Sequence, residues 1–220
     1  MTQKQLEQFA LDEGAALCGG ANLGFSPIKG QKTLCYAFCI AVKLSDSVLK
    51  TIDNAPTYAY FQHYRAANAL LDSIAFKLAN KIEESGYKAF PVAASQSQGK
   101  ENAYAGIISH KIAATKSGLG FVGKSGLFLS EKYGGKVRLA TVLTDMPLVS
   151  EKPIIENGCG DCNVCMQSCP AGAIFGEKPV LGERNIDPEK CSKYMKEHFQ
   201  GIGRGSVCGI CIKVCPKNQL

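Results

Sequence analysis

At 220 residues, with 45% hydrophobic and 20% charged side chains, the chain has the make-up of a globular protein with one core of ordinary size and room for a small cofactor-stabilised module. The formal charge of +6 raises the question of an acidic partner, and eleven cysteines raise that of disulfides. No stretch is apolar for long enough to span a membrane, and the N-terminus, M-T-Q-K-Q-L-E-Q-F-A-L-D-E, patterns as an amphipathic helix and not as a signal peptide, so no membrane partner and a cytoplasmic location are expected.

Thr2 and Gln5 form a capping-box pattern, and Leu6, Phe9 and Ala10 give the first helix its apolar side up to Gly14. Residues 15–21 and 34–42 read as strands; the second is uncharged throughout, which predicts burial on both faces. Cys18, Cys35 and Cys39 lie in these apolar runs and read as small buried hydrophobes. Asn54 and Pro56 open the longest helix, with Tyr60, Tyr64, Ala67, Leu71, Ile74, Leu78 and Ile82 at steps of three and four and Gly86 as its stop. Residues 87–94 form another strand, and Pro91 within it predicts an edge or a bulge. A polar loop follows over residues 95–102, where Gln96, Gln98 and Gly99 suit a lid or a ligand-facing turn.

Ser109 caps a short helix that Gly118 ends. Residues 127–130 and 137–144 read as two strands, and Gly134 and Gly135 between them signal a hairpin. Pro147 and Pro153 mark a linker, which divides the chain into a mixed α+β domain at 1–150 and a cysteine-rich domain at 151–220.

The second domain carries the strongest signal. Residues 159–170 read C-G-D-C-N-V-C-M-Q-S-C-P, the C-x2-C-x2-C-x3-C-P spacing of bacterial ferredoxins that ligate [4Fe–4S] clusters. In that pattern three thiolates hold one cube and the fourth, redirected by the proline, serves another. A second set is present as Cys208, Cys211 and Cys215 before Pro216, and Cys191 substitutes for the first position, where Gly205 stands. The crossed assignment gives Cys159, Cys162, Cys165 and Cys215 to one cluster and Cys191, Cys208, Cys211 and Cys169 to the other. A zinc site of four cysteines more commonly joins two separated C-x2-C knuckles. Two clusters at about −2 each bring the charge of +6 near +2, so basicity is no argument for nucleic acid.

Residues 118–125, G-L-G-F-V-G-K-S, satisfy both the dinucleotide and the P-loop patterns. Either motif must follow a strand and open a helix, and here the order is reversed, so nucleotide binding is not expected. Gly118, Gly120 and Gly123 would let backbone approach a flat ligand, with Phe121 and Val122 as apolar contacts; a tight helix-to-strand turn explains the same letters.

Together with V-R-L-A-T-V-L-T-D-M-P-L and the closing C-G-I-C-I-K-V-C-P-K-N, these runs make residues 109–218 resemble the cobalamin-dependent epoxyqueuosine reductases. That resemblance implies a nitroreductase-like cobalamin-binding core followed by a ferredoxin-like double-cluster domain, an arrangement shared with reductive dehalogenases. It also implies two [4Fe–4S] clusters that feed electrons singly to cobalamin. Tyr104 stands where the family has a catalytic acid, and reductive dehalogenases use a tyrosine as proton donor; an exposed loop aromatic is the other reading. His110 and Lys111 stand at a family Glu-Arg pair. His110 then reads as a proton donor, a cobalt ligand or a plain helix N-terminal residue. Lys111 and Lys124 read as partners of cobalamin's phosphate or propionamide edge, or as surface lysines. The earlier-helix signature Y-A-x-G-R-D-Y-H appears loosely as Y-A-Y-F-Q-H-Y-R over residues 58–65. The chain ends five residues after Cys215, without the helical-repeat extension that full-length members use on tRNA, so tRNA is not expected as a partner. The expected partners are a small-molecule substrate or a corrinoid protein and an external electron donor of ferredoxin or flavodoxin type. A flavin in the core, as in many nitroreductase-like folds, is the alternative cofactor, and an electron-transfer protein without its own substrate is the alternative function.

Overall fold

The computed structural model describes residues 1–95, 98–99, 104–154, 158–202 and 207–219. They divide into two compact units. The first comprises residues 1–43, 67–120 and 138–155, and the second comprises 44–66, 121–137 and 156–220. The second unit thus joins the cysteine-rich segment to two pieces from earlier in the chain.

The first unit is built on a four-stranded sheet in the order β1-β2-β6-β3. Its strands are β1 (Leu17–Asn22), β2 (Tyr36–Lys43), β3 (Ala89–Val92) and β6 (Val137–Thr144). β1 pairs antiparallel with β2, Leu17 facing Ala41, and β3 pairs antiparallel with β6, Pro91 facing Val142. The two inner strands are the two long apolar runs, and almost every residue of each is buried. Pro91 sits on an edge strand, as its missing N–H requires. Around the sheet lie α1 (Gln3–Asp12), against β1, and α4 (His110–Lys116), against β1 and β2. The Thr2–Gln5 capping box forms as predicted, Gln5 N donating to Thr2 Oγ1 at 3.3 Å and Thr2 N to Gln5 Oε1 at 2.8 Å.

The long helix α3 (Tyr58–Glu84) starts in the second unit and, from Ala67, belongs to the first. There it buries Ala67, Leu71, Ile74, Leu78 and Ile82, the predicted stripe. Of the three cysteines in the apolar runs only Cys39 is fully buried, Cys18 and Cys35 being half-buried.

The second unit opens with α2 (Asp46–Lys50), a helix the hydrophobic pattern did not announce, N-capped by Ser45. The hairpin expected between residues 127–130 and 137–144 does not form. Strand β5 (Phe128–Ser130) pairs instead with β4 (Gly120–Val122), because both edges of β6 are taken by β2 and β3. Gly134 closes a tight turn on Ser130, each amide donating to the other's carbonyl at 2.9 Å. Helices α5 (Val164–Gln167), α6 (Pro188–Phe199) and α7 (Ile210–Lys213) complete the unit, with α5 and α2 both packed on α7. Among the described residues no helix is long and apolar enough to cross a membrane.

Candidate functional site

Short local elements set each cysteine. Cys162 N donates to Cys159 O at 3.2 Å, which curls the chain into α5, where Cys165 lies. Cys169 N closes on Met166 O at 3.3 Å, and the Cys169 sulfur accepts from Ala173 N at 3.4 Å. Cys191 rides on α6, whose first turn is capped by Asp187 and opened by Pro188. Cys211 is in α7, and Cys215 N donates to Ile212 O at 3.2 Å before Pro216 redirects the chain. Gly209, between Cys208 and α7, takes φ +80° and lies against Tyr60 and Ile52, where a Cβ would come within 2.8 Å of the tyrosine ring.

The eight cysteines are half-buried, and their charges act on one another in two overlapping sets. Burial pushes the Cys215 thiol up, and the charges of Cys159, Cys165 and Cys162 push it further. Cys165 is raised by burial and then by Cys159 and Cys162, against amide donation from Met166 and its own N–H. In the other set burial raises Cys191, with Cys208 and Cys169 adding. Cys211, the most deeply buried, is raised by burial and then by Cys208, Cys191, Cys169 and, last, Cys165. Cys215 is thus coupled to the first cysteine run, and Cys191 to Cys208 and Cys169. Among the described residues no three His, Cys, Asp or Glu side chains are gathered for a single metal ion. Thiolates around one zinc ion would lie about 3.8 Å apart, given a metal–sulfur distance of about 2.3 Å.

The glycine loop packs on this run. A Cβ on Gly158 would collide with the Phe121 ring, and one on Gly123 would lie 3.3 Å from Cys159 Sγ and closer still to Leu129. Lys124 is buried, and its Nζ donates to Asn163 Oδ1 at 2.9 Å. Sequence reasoning passed over Asn163; its one signal was a polar residue wedged between Cys162 and Cys165. Gly118, with φ +69°, forms the tight turn after α4 in the first unit, where a Cβ would meet Lys152 and Ser150 at 2.6 and 2.8 Å. Gly120 is buried at the start of β4, and Val122 is half-buried at its end. The helix-before-strand order that spoke against a nucleotide loop is present.

The remaining candidates lie in the first unit. His110 Nδ1 is 2.8 Å from Thr141 Oγ1 and Nε2 is 2.9 Å from Ala93 O. Burial lowers its pKa, the Ala93 carbonyl opposes this, Arg138 lowers it further and Asp72 raises it. Burial likewise lowers the neighbouring Lys111. Thr141 also meets Cys39 Sγ at 3.7 Å, and burial pushes that thiol up to about 11 despite hydroxyl bonds from Ser117 and Thr141. Tyr104 is 45% exposed. Of the loop before it, residues 96–97 and 100–103 lie outside the described residues.

Residues 158–218 match the 4Fe-4S double cluster binding domain family, so the thiol sets fall in a domain of the class that holds two such clusters. Over 117 residues, 52% of the chain, the sequence is 33% identical to epoxyqueuosine reductase from Staphylococcus aureus (strain NCTC 8325 / PS 47), of which it covers 30%. The chain is a homologue of the epoxyqueuosine reductases, spanning under a third of that relative's length. Two solved structures share its fold across nearly the whole chain. One is a reductive dehalogenase whose structure suggests a mechanism for B12-dependent dehalogenation, with TM-score 0.75, 21% identity, and coverage of 97% of this chain and 31% of that one. The other is epoxyqueuosine reductase with an epoxyqueuosine-modified tRNA stem loop, with TM-score 0.66, 18% identity, and coverage of 98% and 65%.

Proposed function

We propose that the chain is a redox protein in which two [4Fe–4S] clusters serve a corrinoid centre for reduction of a small molecule. The observation that carries this reading is the match of residues 158–218 to the double-cluster family, over cysteines whose charges act on one another. Cys159, Cys162, Cys165 and Cys215 hold cluster one, and Cys191, Cys208, Cys211 and Cys169 hold cluster two. The donor set suits the clusters: burial and nearby thiolate charge disfavour the thiolates of Cys165, Cys191, Cys208, Cys211 and Cys215, and iron supplies the positive charge that offsets both. When bound, the clusters supply one-electron carriers and the corrinoid a reducible cobalt.

The corrinoid is supported by homology to the epoxyqueuosine reductases and by a fold shared with a dehalogenase described as B12-dependent. Half-buried Lys111 is a candidate to touch it, and exposed Tyr104 is a candidate proton donor. An external donor of ferredoxin or flavodoxin type delivers the electrons. A second reading, an electron carrier to cobalt with no substrate of its own, is favoured by His110, whose two ring nitrogens are both engaged by the protein.

Anaerobic reconstitution with iron, sulfide and hydroxocobalamin, followed by metal analysis and spectroscopy, tests the cofactor set. The expected result is about eight irons and one cobalt per chain, and about four irons in Cys191→Ala. Retention of about eight irons in that variant would refute the place of Cys191, and full iron without cobalt would remove the corrinoid.

A further inference from the structure

We infer that Lys124 is a positioning residue for charge beside cluster one and raises the reduction potential of that cluster. The inference rests on the assignment of Cys159, Cys162, Cys165 and Cys215 to one cluster. Lys124 is only 7% exposed, and its ammonium donates to the neutral carboxamide of Asn163. Among the described residues no carboxylate pairs with it. Within the described residues this buried ammonium on a neutral acceptor has no counter-charge of the kind that buried ions require.

Three observations place that missing charge. Asn163 lies between Cys162 and Cys165, so the ammonium is anchored inside the ligand run itself. Gly123, the residue before the lysine, is close enough to Cys159 that an added Cβ would sit 3.3 Å from its sulfur. Asn163 also occupies the N-cap of α5 yet makes no side-chain cap bond, its carbonyl oxygen being given to Lys124 instead. The helix forgoes its side-chain cap.

A [4Fe–4S] cube with four thiolates carries about −2 oxidised and about −3 after taking up one electron. A fixed cation nearby favours the more negative state and so eases reduction. Only cluster one should feel it strongly, because the loop and its anchor both lie on the first cysteine run.

The test is a redox titration of the reconstituted full chain followed by electron paramagnetic resonance. Lys124→Met should make one of the two cluster reductions at least tenfold less favourable, about 59 mV for a one-electron couple, and leave the other unmoved. Lys124→Arg should restore most of the shift. Asn163→Asp, which pairs the ammonium with a carboxylate, should lower the same potential, and it keeps the test alive if Lys124→Met fails to load. Full iron content with both potentials unchanged would make the lysine merely structural. Unmoved potentials with weakened hydroxocobalamin binding would assign it to the corrinoid instead. A wild-type chain that takes up no iron would overturn the cluster assignment itself, a result distinct from either.

Discussion

At His110 the hydrogen bonds fix the tautomer. The Ala93 carbonyl can only accept, so Nε2 carries the proton, and in the neutral ring Nδ1 accepts from the Thr141 hydroxyl. Thr141 Oγ1 is then left to accept from the Cys39 thiol, which burial keeps protonated. Protonating His110 would set an N–H against the Thr141 hydroxyl in a half-buried site facing Arg138, with Asp72 as the opposing charge. Burial lowers the folded pKa below the ordinary 6.5, so the unfolded chain binds the proton first as pH falls. The stability from the neutral ring is therefore complete above 6.5 and is lost as pH drops through the lower folded value. Urea unfolding of His110→Gln should show a shallower acid decline than wild type below about pH 6.5. A constant offset between the two proteins at every pH would show that His110 does not titrate in that range.

At the scale of elements, one side chain fastens the C-terminal cysteines to the turn after β5. Asn218 Oδ1 accepts from Gly135 N at 2.8 Å, and its Nδ2 donates to Ile212 O in α7. The Gly134 backbone lies so close to Lys217 and Asn218 that a Cβ would meet the Lys217 carbonyl oxygen at 2.5 Å. Replacing Asn218 with Ala leaves Gly135 N and Ile212 O without these partners, at a cost of about 1–3 kcal/mol. The loss should appear as faster release of iron to a chelator, and wild-type release kinetics would count against the role. Gly134 and Gly135 illustrate how far sequence reading reached. The pair correctly marked a turn, but the hairpin drawn through it was wrong, because which strand pairs with β5 depends on edges taken by β2 and β3 far along the chain. Pro91 was legible as an edge residue because its missing N–H is a local fact, and the long α3 stripe because its period is local too. The cysteine spacing was legible for the same reason. Which thiols Cys191 joins was inferred from a missing position, and the cysteine charges acting on it come from Cys208 and Cys169, far from it in sequence. Asn163 and Thr141 left no such mark, being ordinary polar residues whose importance comes entirely from what packs beside them.

At the scale of the whole chain, residues 158–218 differ from the first unit in what their own side chains bury. The largest fully buried side chains include Phe38, Ile40, Leu71, Ile74, Leu78, Ile82 and Leu143 in the first unit and Leu44 and Ile52 in the second, and among the described residues none comes from 158–218. There the buried apolar set is Ala173, Ile174, Phe199, Val207, Ile210 and Ile212, among short helices of four to twelve residues. Helices of four residues do not persist on their own, and so small an apolar set does not offset the entropy of ordering some sixty residues. On the proposed assignment the eight cysteines supply what the apolar residues do not, since ligands drawn from 159 to 215 would tie distant parts of the segment at two points. Stripping iron from the reconstituted protein under anaerobic, reducing conditions should therefore unfold residues 158–218 while the sheet survives. Hydrogen exchange read by mass spectrometry should show the amides of β1, β2 and β6 still protected, and those of α5, α6 and α7 exchanging freely. Equal loss of protection in both units would mean that the first does not stand on its own apolar core. Protection retained at α5, α6 and α7 without iron would mean that packing alone specifies the cysteine sites, and that the clusters enter a preformed mould.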